Sequence, residues 1–230
     1  MMQALAQLPL ARLTRSPWAW LPVVFWGLVA IVVAFAARRM GSSGGGIDRA
    51  LLGGFGSVAM PLLSFAVVGA TLSSDSLKTA IRPVVALGAS PAHAALATVL
   101  TGMLTSAALS GMLGIVVVLA AGSAHVASDL VSALWIGALG GACYAAWFSF
   151  GATFGQRGAG RATLLVFDYL FGATSGGTVS AIALLTPRGN VHSLLGGVSP
   201  SDISQRTSSV ALILLTAACV LFTLRRTRTA

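Results

Sequence analysis

Five stretches of this sequence, at 17–37, 50–72, 94–121, 130–154 and 162–186, run for about twenty residues or more with no charge or a single one. A hydrocarbon layer about 30 Å thick is crossed by about 20 apolar residues of helix, so each stretch is long enough to span a membrane. A sixth, 210–224, falls short and reaches the required length when extended back through Thr207, giving 207–224. The runs are continuous rather than alternating, and they are too long for the roughly ten-residue strands of a membrane barrel. The expected fold is therefore an all-α integral membrane protein with six transmembrane helices.

The composition agrees. The chain is 56% hydrophobic and 8% charged, with a mean hydropathy of +0.90, against about a quarter charged residues in an ordinary soluble domain. That excludes a water-soluble globular fold, and the high hydrophobicity excludes a disordered chain. The longest stretches between runs are about twenty residues, too short for a separate soluble domain. One transmembrane domain over 1–230 is expected. The first run ends in small residues, as a signal peptide does. It is longer than a 7–15-residue signal core and is followed at once by Arg38 and Arg39, which favours an uncleaved helix.

Basic residues set the orientation. With both termini cytoplasmic, the inside holds Arg12, Arg15, Lys78, Arg82, Arg157, Arg161, Arg225, Arg226 and Arg228, and the outside Arg38, Arg39, Arg49, Arg188 and Arg206. The inside excess favours this arrangement. A net charge of +9 often marks a nucleic-acid binder. Here the arginines are scattered between apolar runs, which points to anionic membrane lipids instead and to no nucleic acid. Cys143 and Cys219 lie within apolar runs and read as buried hydrophobes rather than a disulfide.

Several chemistries lack their residues. There is no Glu, and Lys78 is the only Lys. A Walker A loop requires Gly immediately before its Lys, and Leu77 stands there, so P-loop hydrolysis by this chain is excluded. Without Glu there is no H-E-x-x-H motif, and there is no C-x-x-C. His93, His125 and His192 are dispersed and read as interfacial polar residues rather than ligands. No catalytic cluster, cofactor or metal is expected, and the chain is not read as an enzyme.

The segments between runs carry more information. Residues 1–16 combine leucines with Arg12 and Arg15, which is compatible with a short amphipathic surface helix or a frayed tail. In 73–93, Ser73 or Ser74 caps a helix, Asp75 occupies its first turn and Pro83 stops it. Leu77 and Ile81 form its apolar stripe, while Lys78 and Arg82 present a basic face four residues apart. Ser90 and Pro91 then read as the cap and first position of the third span. The segment 187–209 mixes apolar residues with turn formers, as in a loop that dips back into the membrane or packs on the bundle.

Within the spans, Pro61 is expected to kink the second helix. Gly137 and Gly141, Gly151 and Gly155, and Gly172 and Gly176 are small-x-x-x-small pairs that permit close helix packing. Asp168 is an intramembrane charge about two turns into the fifth run, with Arg161 or a neighbouring chain as its expected partner.

The segment 74–91, S-D-x-L-K-x-x-x-R-P-x-x-x-L-G-A-S-P, resembles the stretch that follows the second span in permease subunits of type-two ABC exporters. The segment 186–197, T-P-x-x-x-x-H-x-L-L-G-G, is similar to the loop before their last span. The resemblance implies a coupling helix, with Asp75, Leu77, Lys78, Ile81, Arg82 and Pro83 at the contact with a separate ATPase subunit present in two copies. It also implies a second permease protomer, identical or homologous, with the translocation pathway between the two, and residence in a bacterial-type plasma membrane. Rival readings are an ATP-independent carrier or channel, and a membrane-embedded assembly subunit without transport of its own.

Overall fold

The computed structural model describes residues 2–15, 17–40, 45–73, 75–172, 181–196 and 205–228, and every regular element among them is helical. Helix α1 (Met2–Arg15) precedes α2 (Pro17–Met40). A short α3 (Gly45–Arg49) runs directly into a π-helical segment, Ala50–Ala59, and on into α4 (Met60–Thr71). Then come α5 (Leu77–Ala86), α6 (Pro91–Ala121) and α7 (Val126–Gly151), followed by α8 (Gly160–Phe171), α9 (Pro187–Leu194) and α10 (Gln205–Arg228).

Five helical units are long and apolar enough to cross a membrane: Trp20–Met40, Ile47–Thr71, Pro91–Ala121, Val126–Gly151 and Gln205–Arg228. They overlap the first four expected spans and the last. The fifth expected span, 162–186, takes a different form. Its helix α8 has 12 residues, a length of about 18 Å at 1.5 Å per residue, against a hydrocarbon layer of about 30 Å. Helix α8 ends at Phe171, residues 173–180 lie outside the described residues, and the chain resumes as a 3-10 turn, Ala181–Leu185, leading into α9. The pair Gly172–Gly176 and most of the loop before α10 also fall partly outside the described residues.

The expected bend at Pro61 takes the form of a change of helix type. Proline has no N–H, and in an α-helix its ring meets the carbonyl four residues back. Before Pro61 the chain runs in the wider π register, with the Met60 N–H donating to the Phe55 carbonyl. The α register takes over at Met60.

Helices α6 and α7 form the tightest seam. A Cβ placed on Gly141 would lie 2.6 Å from the Ser106 carbonyl oxygen, and one on Gly137 would lie 2.7 Å from that of Ser110. Only hydrogen fits at these two positions. Lipid tails are as apolar as the helices, so such close van der Waals contact is a main source of cohesion in a bundle. Phe55, Tyr144 and Phe148 fill the interior beside this seam, and Phe65 meets Phe148 edge-on at 5.4 Å. Both cysteines are buried and free.

Side-chain contacts sort the helix termini into two ends. At one end, the Arg12 guanidinium donates to the carbonyls of Thr71 (3.4 Å) and Ala80 (3.0 Å), and the Leu77 N–H donates to the Ala152 carbonyl (3.2 Å). Arg226 stacks on Phe154 at the same end, 4.1 Å from the ring centre. At the other end, Arg38 lies beside Gly122, while Asp48, Asp129, Leu195 and Gln205 surround a common small cavity.

Candidate functional site

Two places combine unusual chemistry with built geometry: the α5 helix and the interruption between α8 and α9.

Helix α5 is amphipathic as its sequence predicts, with shifted boundaries. The N-cap is Ser76, whose hydroxyl accepts from the Thr79 N–H at 3.3 Å, and not Ser73 or Ser74. Asp75 therefore precedes the helix instead of occupying its first turn. Pro83 lies inside the helix, which continues to Ala86. A proline at that position removes one backbone bond but tolerates a short continuation. Leu77, Ala80 and Ile81 are buried, whereas Lys78, Thr79, Arg82 and Pro83 are exposed. Leu87, just past the helix, is 88% exposed, an apolar side chain standing free at the edge of a basic face.

The helix is held on its inner side by three neighbours. Its first N–H is bonded to the Ala152 carbonyl at the end of α7. The Ala80 carbonyl takes the Arg12 guanidinium of α1. Gly158, at a positive φ of 69°, packs so tightly on the entry to α5 that a Cβ would lie 2.9 Å from the Asp75 carbonyl oxygen. Burial holds the Arg12 guanidinium below its ordinary pKa, and nearby Asp75 opposes that shift. The inner side of α5 is therefore tied to α1 and to the end of α7 by direct hydrogen bonds.

The second place is built around Asp168. Its carboxylate is fully buried. One oxygen accepts from the Tyr144 hydroxyl of α7 at 3.0 Å, and the other from the Arg188 backbone N–H of α9 at 3.1 Å. Arg161, the partner expected from sequence within this chain, takes no part in this arrangement. Arg161 instead donates to the Gly158 carbonyl and lies over Phe65, 5.9 Å from the ring centre. The Arg188 guanidinium covers the Tyr169 ring at 4.5 Å and donates to the Tyr169 carbonyl at 3.3 Å. Arg188, counted among the external basic residues on sequence, is thus drawn in against α8.

Helix α9 is shaped for this role. The Thr186 hydroxyl caps it by accepting from the Gly189 N–H (3.3 Å), Pro187 stands in its first turn, and Asp168 satisfies a further N-terminal donor. From there α9 packs against the π-helical segment, where His192 and the Ser57 hydroxyl are 2.6 Å apart, and Leu195 reaches the cavity beside Asp48 and Asp129. His192 is accordingly half-buried against the π-helical segment. Helices α8 and α9 enter from opposite ends and meet at a carboxylate. A negative group at a helix N-terminus is favourable, and interrupted backbone at membrane depth is tolerated where protein covers it. A Thr–Pro pair such as 186–187 is a cap-and-first-turn signature from which the start of α9 can be read, whereas the mixed composition of 187–209 suggests only a loop; nothing in the sequence marked Tyr144 as the partner of Asp168.

Comparison with known proteins finds no matching family model and no matching curated sequence.

Proposed function

We propose that this chain is the permease subunit of an ATP-driven exporter in a plasma membrane, working with a separate ATPase subunit. The observation that carries the reading is α5: a capped amphipathic helix with an exposed face of Lys78, Thr79, Arg82 and Pro83, bonded on its other side to α1 and α7. The resemblance of 74–91 and 186–197 to type-two ABC permeases supports it. In this reading both chain termini and α5 are cytoplasmic, and two such units, identical or homologous, enclose the pathway. The broken fifth crossing at α8 and α9 completes six passages. Closure of two ATPase subunits presses on the α5 helices, and the bonds to α1 and α7 carry the movement into the bundle. An apolar interior suits amphipathic cargo.

The test is purification of the tagged chain from its native membranes. A P-loop ATPase should accompany it, and reversing Lys78 and Arg82 together to Glu should deplete that subunit while the chain stays in the membrane. A chain that purifies alone and transports without ATP would overturn the reading.

One observation favours a second reading, an ATP-independent carrier. Asp168 and Arg188 form a charged centre at an interrupted helix, an arrangement found where carriers hold ions or substrates. In that case Asp168→Asn abolishes transport that persists without ATP.

A further inference from the structure

A cleft of about 440 Å³ opens between the start of α6 and the end of α10, at the end of the bundle that carries α5. Its walls are unequal in character. Leu96 and Leu224 supply apolar surface, and Ser90, His93 and Arg228 supply polar groups, with no acidic residue among the lining. Arg228 is exposed, and no hydrogen bond, ion pair or ring contact engages it among the described residues. Arg226, two residues earlier, is by contrast spent on the Phe154 ring. His93 Nδ1 is 3.1 Å from the Ser90 hydroxyl, which leaves its other ring nitrogen as the one available to a ligand.

We infer that this cleft binds an anionic phospholipid, with the lipid phosphate against Arg228 and His93 and an acyl chain against Leu96 and Leu224. The two kinds of wall call for one molecule that is both anionic and apolar. A free phosphate ion would use only the polar rim, and a neutral lipid only the apolar side. The place also fits: basic pockets between membrane helices on the cytoplasmic side take lipid headgroups. At about 30 Å³ per water, the space equals roughly fifteen waters, ample for a phosphoglycerol group. The inference needs the chain to reside in a membrane. It does not need the exporter reading, and it stands if no ATPase is found. A lipid seated here would tie the first turn of α6, which follows α5 closely, to the last turn of α10.

The test is native mass spectrometry on the full chain in detergent, titrated separately with phosphatidylglycerol, phosphatidylcholine and inorganic phosphate. Phosphatidylglycerol should be retained preferentially, and excess inorganic phosphate should not displace it. Arg228→Gln with His93→Gln should weaken its binding by about fivefold or more, given the usual worth of one basic side chain near an anionic lipid surface. Arg157→Gln, an exposed cation outside the cleft, should leave binding unchanged. Leu96→Trp keeps the polar rim and fills the apolar side, and should also expel the lipid; it serves as the test should the double variant fail to fold. Equal retention of both lipids, displacement by inorganic phosphate, or undiminished binding in folded Leu96→Trp would overturn the proposal.

Discussion

Asp168 ties together elements of the interior that are distant in sequence. Its carboxylate holds two donors from two helices, the Tyr144 hydroxyl and the Arg188 N–H. Asp168→Ala strands both, and a stranded buried donor costs about 1–3 kcal/mol. The variant should unfold roughly 5–10 °C below wild type in a detergent thermal scan, at a few degrees per kcal/mol for a chain of this size. Asp168→Asn keeps a carbonyl acceptor and should lose distinctly less; an equal loss in both would mean that the charge, and not the acceptor, holds α9. The sequence exposed Asp168 as unusual because it interrupts an apolar run, but its partners lie 24 and 20 residues away. No local pattern specifies such a pairing. Arg161 was the nearest cation in sequence, and the fold turns it towards Phe65 instead.

The elements were legible to the extent that hydropathy reports them. Four of the first five expected spans and the last appear as long helices because uninterrupted apolar runs leave the backbone no better way to satisfy its polar groups. The fifth differs because absence of charge says nothing about helix continuity. Its sequence after Phe171, rich in Gly, Ser and Thr, is uncharged but less apolar than the run before it, and poorly suited to helix. Pro83 was read as a stop and is found inside α5, which continues to Ala86 with Val84 and Val85 packed partly against the core beyond it. Two measurements bear on this scale. Gly141→Leu should separate α6 from α7, because even a Cβ there meets the Ser106 carbonyl oxygen at 2.6 Å. A loss of at least about 2 kcal/mol is expected, read as a lowered unfolding midpoint. Ser76→Ala removes the α5 cap at a cost of about 1 kcal/mol, and amide exchange in α5 should quicken about fivefold while α6 is unaffected.

At the scale of the whole molecule, the account rests on a bundle with two chemically distinct ends. In a Cys143→Ala, Cys219→Ala background, single cysteines at Thr79 and Arg157 should react with an impermeant thiol reagent from one side of the membrane. Cysteines at Asp48, Ala124 and Gln205 should react from the other. The pair Arg157 and Gln205 is decisive for the interrupted crossing, since labelling of both from the same side would mean that α8 and α9 do not together traverse the layer. The charge distribution already hinted at this polarity, and the contacts of Arg12, Arg226 and the Leu77 N–H gather the expected inner segments at one end. The partner that the α5 face is proposed to engage is best sought by contact. A photo-crosslinking side chain at Thr79, with Ala124 at the opposite end as control, should capture a subunit bearing a Walker A loop from native membranes at Thr79 alone. Adducts with lipid only, or the same adducts from both positions, would contradict the coupling role of α5.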